Sequence, residues 1–502
     1  MNKPQLDSLT FATCVALILG ACLPLLLFPD SSGKWLITAY NFIAAKLGFV
    51  YLAAGLGCIL ILLWLAFGRY GGIILGDSAD EIEFNDSSWA AMLFCAGIGA
   101  GLMAWAPIEW GYYLNSPPFG VEAGSTQAAE WASTYGIFHW GITAWCFYCL
   151  PTIAIAYPYY VKKTRSLRFS NSCYHMLGGR EDTGTGRLID GLFMVGLLGG
   201  AGSSLGFSTP MIAALVARIS GVETSFMLEF AIVLVSICLF SLSVWFGLRK
   251  GIKRLSDFNM WLAFLLLGFV LIAGPTTFML KTSVNSLGLM FDNFVRMNSW
   301  TDPFTESRFV EDWTVFYWAW WIAYGPFVGL FVTRISRGRS IRQVIVGMLG
   351  YGSIGCALFY MTLGNYGLYL ELTGAANVAA TLAQDGAPAA IVMILETLPM
   401  AGFALAAYAL IALVLSATTY DSASYILASS ATRNMLAGED PARWHRLFWA
   451  LALAVLPLTL MFVGGLKVIQ TATLVVSLPL VVVAVMMSVS LLKQLAADHP
   501  KA

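Results

Sequence analysis

The sequence predicts an all-α membrane protein of about twelve transmembrane helices, and three observations predict it. Of 502 residues, 58% are hydrophobic and only 11% charged, with a mean hydropathy of +0.74. That leaves too little polar surface to dissolve a globule of this size. Apolar stretches long enough to cross about 30 Å of hydrocarbon recur near 9–29, 49–68, 88–114, 135–160, 188–217, 226–248, 257–280, 313–334, 341–364, 401–430, 447–464 and 469–492. Basic residues then gather in alternate loops. One such loop holds Lys162, Lys163, Arg165, Arg168, Arg180 and Arg187, and the next on that side holds Arg249, Lys250, Lys253 and Arg254. Arg334, Arg337, Arg339 and Arg342 follow, then Arg433, Arg443 and Arg446, whereas segment 365–400 has no Lys or Arg. By the positive-inside rule both termini are expected in the cytoplasm. The acidic loop 70–87 falls on the same side, where acidic residues carry little topological weight.

The first 28 residues lack a basic n-region leading to a small-residue cleavage site, so they read as the first span and not as a signal peptide. Residues 1–87 then form two leading helices and the acidic loop, 88–282 and 313–492 two sets of five helices, and 493–502 a short cytoplasmic tail. Between the sets, 283–312 carries Leu287, Met290, Phe291 and Phe294 at helical spacing, which suits an amphipathic helix on the outer surface. A plain loop is the other reading.

Lys plus Arg equals Asp plus Glu at 28 each, so nothing in the charge points to nucleic acid. The nine cysteines stand singly without metal-ligand spacing and read as packing residues. Neither HExxH nor GxSxG occurs in the spans, which speaks against a membrane-embedded enzyme. No cofactor is expected.

Gly97, Gly99 and Gly101 alternate in the third span, and each costs a helix about 1 kcal/mol relative to alanine. Two explanations fit. Small residues allow close helix packing, or the helix unwinds there so that freed carbonyls and N–H groups face a substrate or ion at mid-membrane. The eighth span carries Gly325, Pro326 and Gly329, and a proline there removes a backbone bond and invites a kink. The first helix of each set of five is therefore expected to be interrupted, the pattern of transporters built from inverted repeats with a site between discontinuous helices. Broken helices also line channels, and saturable uptake with counterflow would distinguish a carrier. A sensor that binds without transport is a third class.

The eighth span opens with Trp313, Phe316, Tyr317, Trp318, Trp320, Trp321 and Tyr324. Trp313 suits an interfacial aromatic belt. Trp320 and Trp321 follow seven and eight residues later, about 11–12 Å deeper at 1.5 Å per residue, which is too deep for a belt. Tyr317, Trp321 and Tyr324 share one helix face. In the fourth span Trp145 and Tyr148 share a face, with Trp140 just over two turns from Tyr148. Indole faces attract cations, and quaternary ammonium groups shed water cheaply enough to enter such a cage. An onium ligand fits both clusters. His139, beside Trp140, reads as a satisfied structural donor.

With FHWGITAW, FYWAWWIAYGPFVG and TRISRGRSIR, the sequence resembles the betaine/choline/carnitine transporter family across spans 3 to 12. The resemblance implies a LeuT-type 5+5 inverted repeat preceded by two helices, a homotrimer in the bacterial cytoplasmic (inner) membrane, and transport of trimethylammonium or dimethylsulfonium zwitterions. It implies a cage of Trp140, Trp145, Tyr148, Trp320 and Trp321, with Tyr324 nearer the cytoplasmic exit. Choline carriers of the family place an aspartate at the position of Gly101, so a zwitterion is expected, its carboxylate against unwound backbone near Gly97, Gly99 and Gly101. The segment APIEWGYYLNSPPFG is closer to the carnitine carriers, which would add Tyr112 to the cage.

Coupling follows the same comparison. Sodium-independent exchangers of the family place an arginine and a methionine where this chain has Asn259 and Val328. Thr418 and Thr419, with carbonyls at Cys95 and Ile98, resemble one sodium site, and the alternative is that these hydroxyls bond back to the preceding turn. The second sodium site of betaine carriers corresponds to Leu197 and Ala201, which bear no hydroxyl. The expected activity is sodium-coupled import of glycine betaine, dimethylsulfoniopropionate or carnitine. A sodium-independent or proton-coupled exchanger, or a choline carrier, are the alternatives. Glu109 and Asp421 are intramembrane carboxylates, costly and so open to structural pairing or proton coupling. Osmotically gated relatives carry a long basic C-terminal extension, and the short tail here leads to the expectation of little osmotic gating.

Overall fold

Asp7 starts the first helix, accepting a hydrogen bond from the Thr10 amide at 3.4 Å and so satisfying one of the donors a helix leaves orphaned at its N-terminus. The computed structural model describes residues 5–77, 82–97, 99–164, 168–180, 183–245, 249–305, 307–433, 440–463 and 466–500. Helix α1 (Ser8–Leu27) is followed directly by α2 (Pro29–Phe67), 39 residues long. Its start at Pro29 lies well before the expected position near 49, because proline is accommodated at a helix N-terminus, where no N–H is needed.

The third span is broken into α3 (Asp86–Gly97), α4 (Ala100–Trp105) and α5 (Glu109–Asn115). The fourth starts at Thr126 and breaks at Trp140-Gly141 into α6 (Thr126–His139) and α7 (Ile142–Ala156), ending in a π-turn, Tyr157–Val161. After a single turn, α8 (Tyr174–Leu177), come α9 (Gly184–Ser220), α10 (Phe226–Trp245) and α11 (Arg249–Ala273). Gly274-Pro275 then turns the chain by 110° into α12 (Thr276–Asp292), followed by α13 (Phe294–Ser299). The span expected at 257–280 thus ends at Ala273, and the surface helix expected from 283 begins at Thr276. Proline 275 cannot continue α11 but can open α12.

A π-turn, Val310–Thr314, leads into α14 (Val315–Ile335). The helices α15 (Ile341–Gly347), α16 (Ser353–Phe359) and α17 (Asn365–Thr373) join through π-turns Met348–Gly352 and Tyr360–Gly364 into one rod. Short α18 (Val378–Gln384) and α19 (Ala387–Glu396) precede α20 (Ala401–Ser430), α21 (Arg443–Val463) and α22 (Leu466–Asp498). Among the described residues eight helices are long and apolar enough to cross a membrane, or nine if the bent pair Asp257–Ala273 and Thr276–Asp292 is one span. Helices α3, α4, α5, α10 and α21, which lie in the stretches expected at 88–114, 226–248 and 447–464, are not among them.

The interruption expected in the eighth span does not occur. α14 passes through Pro326 without a break, since a membrane helix can absorb one lost backbone bond where neighbours pack closely. Gly325 and Gly329 instead bring α14 onto α7. A β-carbon on Gly325 would meet the Phe147 carbonyl oxygen at 2.6 Å, and one on Gly329 would meet the Thr152 nitrogen at 3.1 Å. Both are backbone atoms, which cannot rotate away, so α7 and α14 touch main chain to main chain.

At one end of the molecule the chain start is tied down. Strand β1 (Gln5–Leu6) pairs antiparallel with β2 (Thr432–Arg433), just after α20. The Asp7 carboxylate is 1% exposed and accepts from Arg433 at 2.7 Å and Arg168 at 3.3 Å. Burial alone would raise the Asp7 carboxyl, but the Arg433 and Thr10 hydrogen bonds and the two guanidinium charges outweigh it and hold it below its usual value. Its contribution is therefore present above the unfolded carboxylate range and lost as pH falls below it. Asp7→Ala is expected to destabilise this corner by about 1 kcal/mol. Amide exchange should accelerate over residues 5–12 and not in α7 or α14, and unchanged exchange at 5–12 would refute the clasp.

Candidate functional site

Where α3 gives way to α4, Gly99 is extended (φ −113°, ψ 169°), and the first amides of α4 have no intrahelical acceptor. This break opens on a cavity lined by Ala96, Gly99, Gly101, Leu102, Trp140, Ala144, Trp145, Tyr148, Ser204, Trp320, Trp321, Tyr324 and Cys356. Trp320 and Trp321 stack with centroids 5.0 Å apart, and Trp140 meets Trp321 edge-on at 4.7 Å. Tyr148 stands 5.8 Å from Trp321 and 5.4 Å from Trp145.

Each of these rings is held from behind. The Trp321 indole donates to the His139 carbonyl at 2.9 Å and the Trp320 indole to the Gly200 carbonyl at 3.0 Å. Gly141 breaks the fourth span, so Trp140 caps α6 and not the middle of a helix, and its indole donates to Glu109 at 3.3 Å. Trp145 rests on Gly352, where a β-carbon would meet the indole at 2.1 Å. Gly101 is as tightly placed, its β-carbon position lying 3.0 Å from the Ser204 hydroxyl and 3.1 Å from the edge of Trp320. The close-packing reading of the glycine run therefore applies at Gly101, while the helix is broken beside Gly99, whose extended backbone any residue could adopt.

Of the residues singled out from sequence, Trp140, Trp145, Tyr148, Trp320, Trp321, Tyr324, Gly99 and Gly101 line this cavity. Gly97 ends α3. Tyr112 lies outside it, because α5 turns away from α4 and sets its ring against Trp313 (5.0 Å) and Trp105 (6.1 Å). Ser204 and Cys356 line the cavity without having been singled out; they carry no periodic or aromatic signal in the sequence.

Thr418 and Thr419 both donate to the Leu415 carbonyl at 2.9 Å, bonding back to the previous turn. A hydroxyl that donates in this way keeps its oxygen lone pairs. The Cys95 carbonyl belongs to the last turn of α3, whose carbonyls lack intrahelical donors, while Ile98 lies outside the described residues. Asn259 donates to the Ile411 carbonyl at 3.4 Å. Asp421 is paired with Arg446 at 2.6 Å. His139 sits between the Tyr113 hydroxyl (2.9 Å) and the Thr314 hydroxyl (3.0 Å), as a structural residue does.

A helix break beside an enclosed cavity is a feature of membrane carriers, and comparison with known proteins shows the family. Residues 9–500 match the family described as BCCT, betaine/carnitine/choline family transporter. The chain is similar to the Escherichia coli (strain K12) protein named "Uncharacterized transporter YeaV", 35% identical over 451 residues, which is 90% of this chain and 92% of that one. It is likewise similar to the "Carnitine transporter" of Acinetobacter baumannii, 35% identical over 438 residues, 87% of this chain and 79% of that protein. The chain is a transporter and not an enzyme, and it belongs to the betaine/carnitine/choline transporter family.

Proposed function

We propose that the chain imports a zwitterionic methylated onium solute of the carnitine and betaine type by alternating access, with sodium as the coupling ion. The observation that carries the reading is the cavity bounded by Trp140, Trp320, Trp321 and Tyr148 beside the α3–α4 break. A quaternary ammonium group has no hydrogen to donate, so it binds through its methylated surface and its charge, and indole faces answer both. The solute's carboxylate needs donors, and the Ala100 and Gly101 amides at the start of α4 with the Ser204 hydroxyl offer them, Gly101 and Ser204 in the lining of the same cavity. The relative named a carnitine transporter supports carnitine as the first solute to test.

Sodium fits the hard oxygens of Thr418, Thr419 and the Cys95 carbonyl, with Ile98 as the expected fourth. Leu197 and Ala201, both fully buried and without hydroxyls, favour one sodium over two. The twelve-helix inverted-repeat arrangement, a homotrimer and cytoplasmic termini in the bacterial inner membrane complete the reading. Convergence of Arg168, Arg187 and Arg433 on Asp7 supports placing that basic end on the cytoplasmic side.

Two measurements test this. Trp321→Ala should weaken carnitine binding by roughly thirtyfold or more, the scale of a desolvated cation–π contact, in protein that still elutes as a folded species; an unchanged Kd would sink the cage. In proteoliposomes, uptake from a panel of carnitine, glycine betaine and dimethylsulfoniopropionate should collapse when potassium replaces sodium. Full uptake in potassium would refute the sodium coupling while leaving the solute assignment intact.

A further inference from the structure

Glu109 is fully buried on α5, directly behind the cage. Its Oε2 accepts from the Trp140 indole at 3.3 Å, from the Tyr317 hydroxyl at 2.6 Å and from the Tyr360 hydroxyl, while Oε1 accepts from the Tyr113 hydroxyl. Four side-chain donors converge on its two oxygens, an arrangement that satisfies the acceptors of a carboxylate. Its neighbour is His139, 3.7 Å away. A neutral His139 ring satisfies both of its contacts, Nδ1 donating to the Tyr113 hydroxyl and Nε2 accepting from Thr314, without supplying a charge. Among the described residues no lysine or arginine pairs with Glu109. A buried charge without a cation is expensive, and hydrogen bonds from neutral groups offset only part of that cost.

Two of the four donors belong to the aromatic wall. Trp140 lines the cavity and turns its N–H to the carboxylate. Tyr317 stacks on Trp321 at 5.7 Å and on Trp320 at 6.2 Å while its hydroxyl meets the same carboxylate oxygen. We infer that Glu109 is the counter-charge of the onium ligand, acting across the ring layer as a positioning and specificity residue: it fixes Trp140 and Tyr317 and makes the cage select a permanent cation over a neutral group of the same shape. The inference rests on the onium reading of the cavity. A carboxylate on an indole N–H also draws electron density toward the ring face, so the charge and the cation–π attraction act in the same direction.

The test compares L-carnitine with 3-hydroxy-5,5-dimethylhexanoate, in which carbon replaces the quaternary nitrogen, by equilibrium binding to the purified full-length protein. Wild-type protein should prefer carnitine. Glu109→Gln should lose roughly tenfold or more in carnitine affinity, the scale of one charge pair seen through a few ångströms of protein, with the isostere changed by less than about threefold. Glu109→Asp, which keeps the charge, should retain most of the preference. Equal losses for both ligands in Glu109→Gln, or no loss for either, would overturn the inference and leave the cage standing. Equal affinity of wild-type protein for both ligands would instead overturn the onium reading itself. Should Glu109→Gln fail to assemble, infrared difference spectra of wild-type protein decide: carnitine, and not its isostere, should shift a buried carboxylate stretch, and identical spectra would refute the role.

Discussion

The main-chain contact between α7 and α14 is the constraint on which the rest of the site depends. Gly325 and Gly329 let the two helices approach until one backbone lies on the other, and only then do Trp320, Trp321 and Tyr324 face Trp145 and Tyr148 across one cavity. Without a hydrophobic force between helices in lipid, such contacts arise from small residues and dispersion. The cavity is thus a by-product of a tight seam: large rings on either side of a line of glycines have nowhere to go but outward, into the gap bounded by α4 and α9.

Backbone satisfaction decides where that gap can have polar walls. In hydrocarbon a broken helix is tolerated only where protein or an enclosed cavity covers the freed groups. Both breaks near the site obey this: Gly99 opens α3–α4 onto the cavity, and Gly141 ends α6 so that Trp140 leaves the helix axis and reaches Glu109. The uninterrupted α14 supplies the rigid side. One wall is continuous and two are jointed.

Much of this was legible in the sequence because the signals were local. Trp320 and Trp321 lie too deep for an interfacial belt, and apolar runs located most of the helices. What was illegible depended on distant partners. Pro326 reads as a kink, yet the same residue continues a helix once α7 packs against it. Pro29 closes the first expected span and instead opens α2, and Gly274-Pro275 moves a boundary by seven residues, from the expected 283 to Thr276. Glu109 is recognisable as a costly carboxylate, but its donors come from α5, the α6–α7 joint, α14 and the Tyr360 π-turn, elements whose convergence no spacing encodes.

The two π-turns in the α15–α17 rod have a consequence for how this side of the protein is specified. Each inserts one residue beyond the regular repeat, and one residue is about 100° of helix rotation. Gly352 ends the first π-turn and receives the Trp145 ring, while Tyr360 begins the second and meets Glu109. Between them lies α16, seven regular residues, which fixes the angle at which these two faces are presented. The π-turns on either side rotate that pair as one unit relative to α15 and α17, so the rod acts as a phase-setting shaft: α16 chooses which side chains touch the cage, and the extra residues choose in which direction they face.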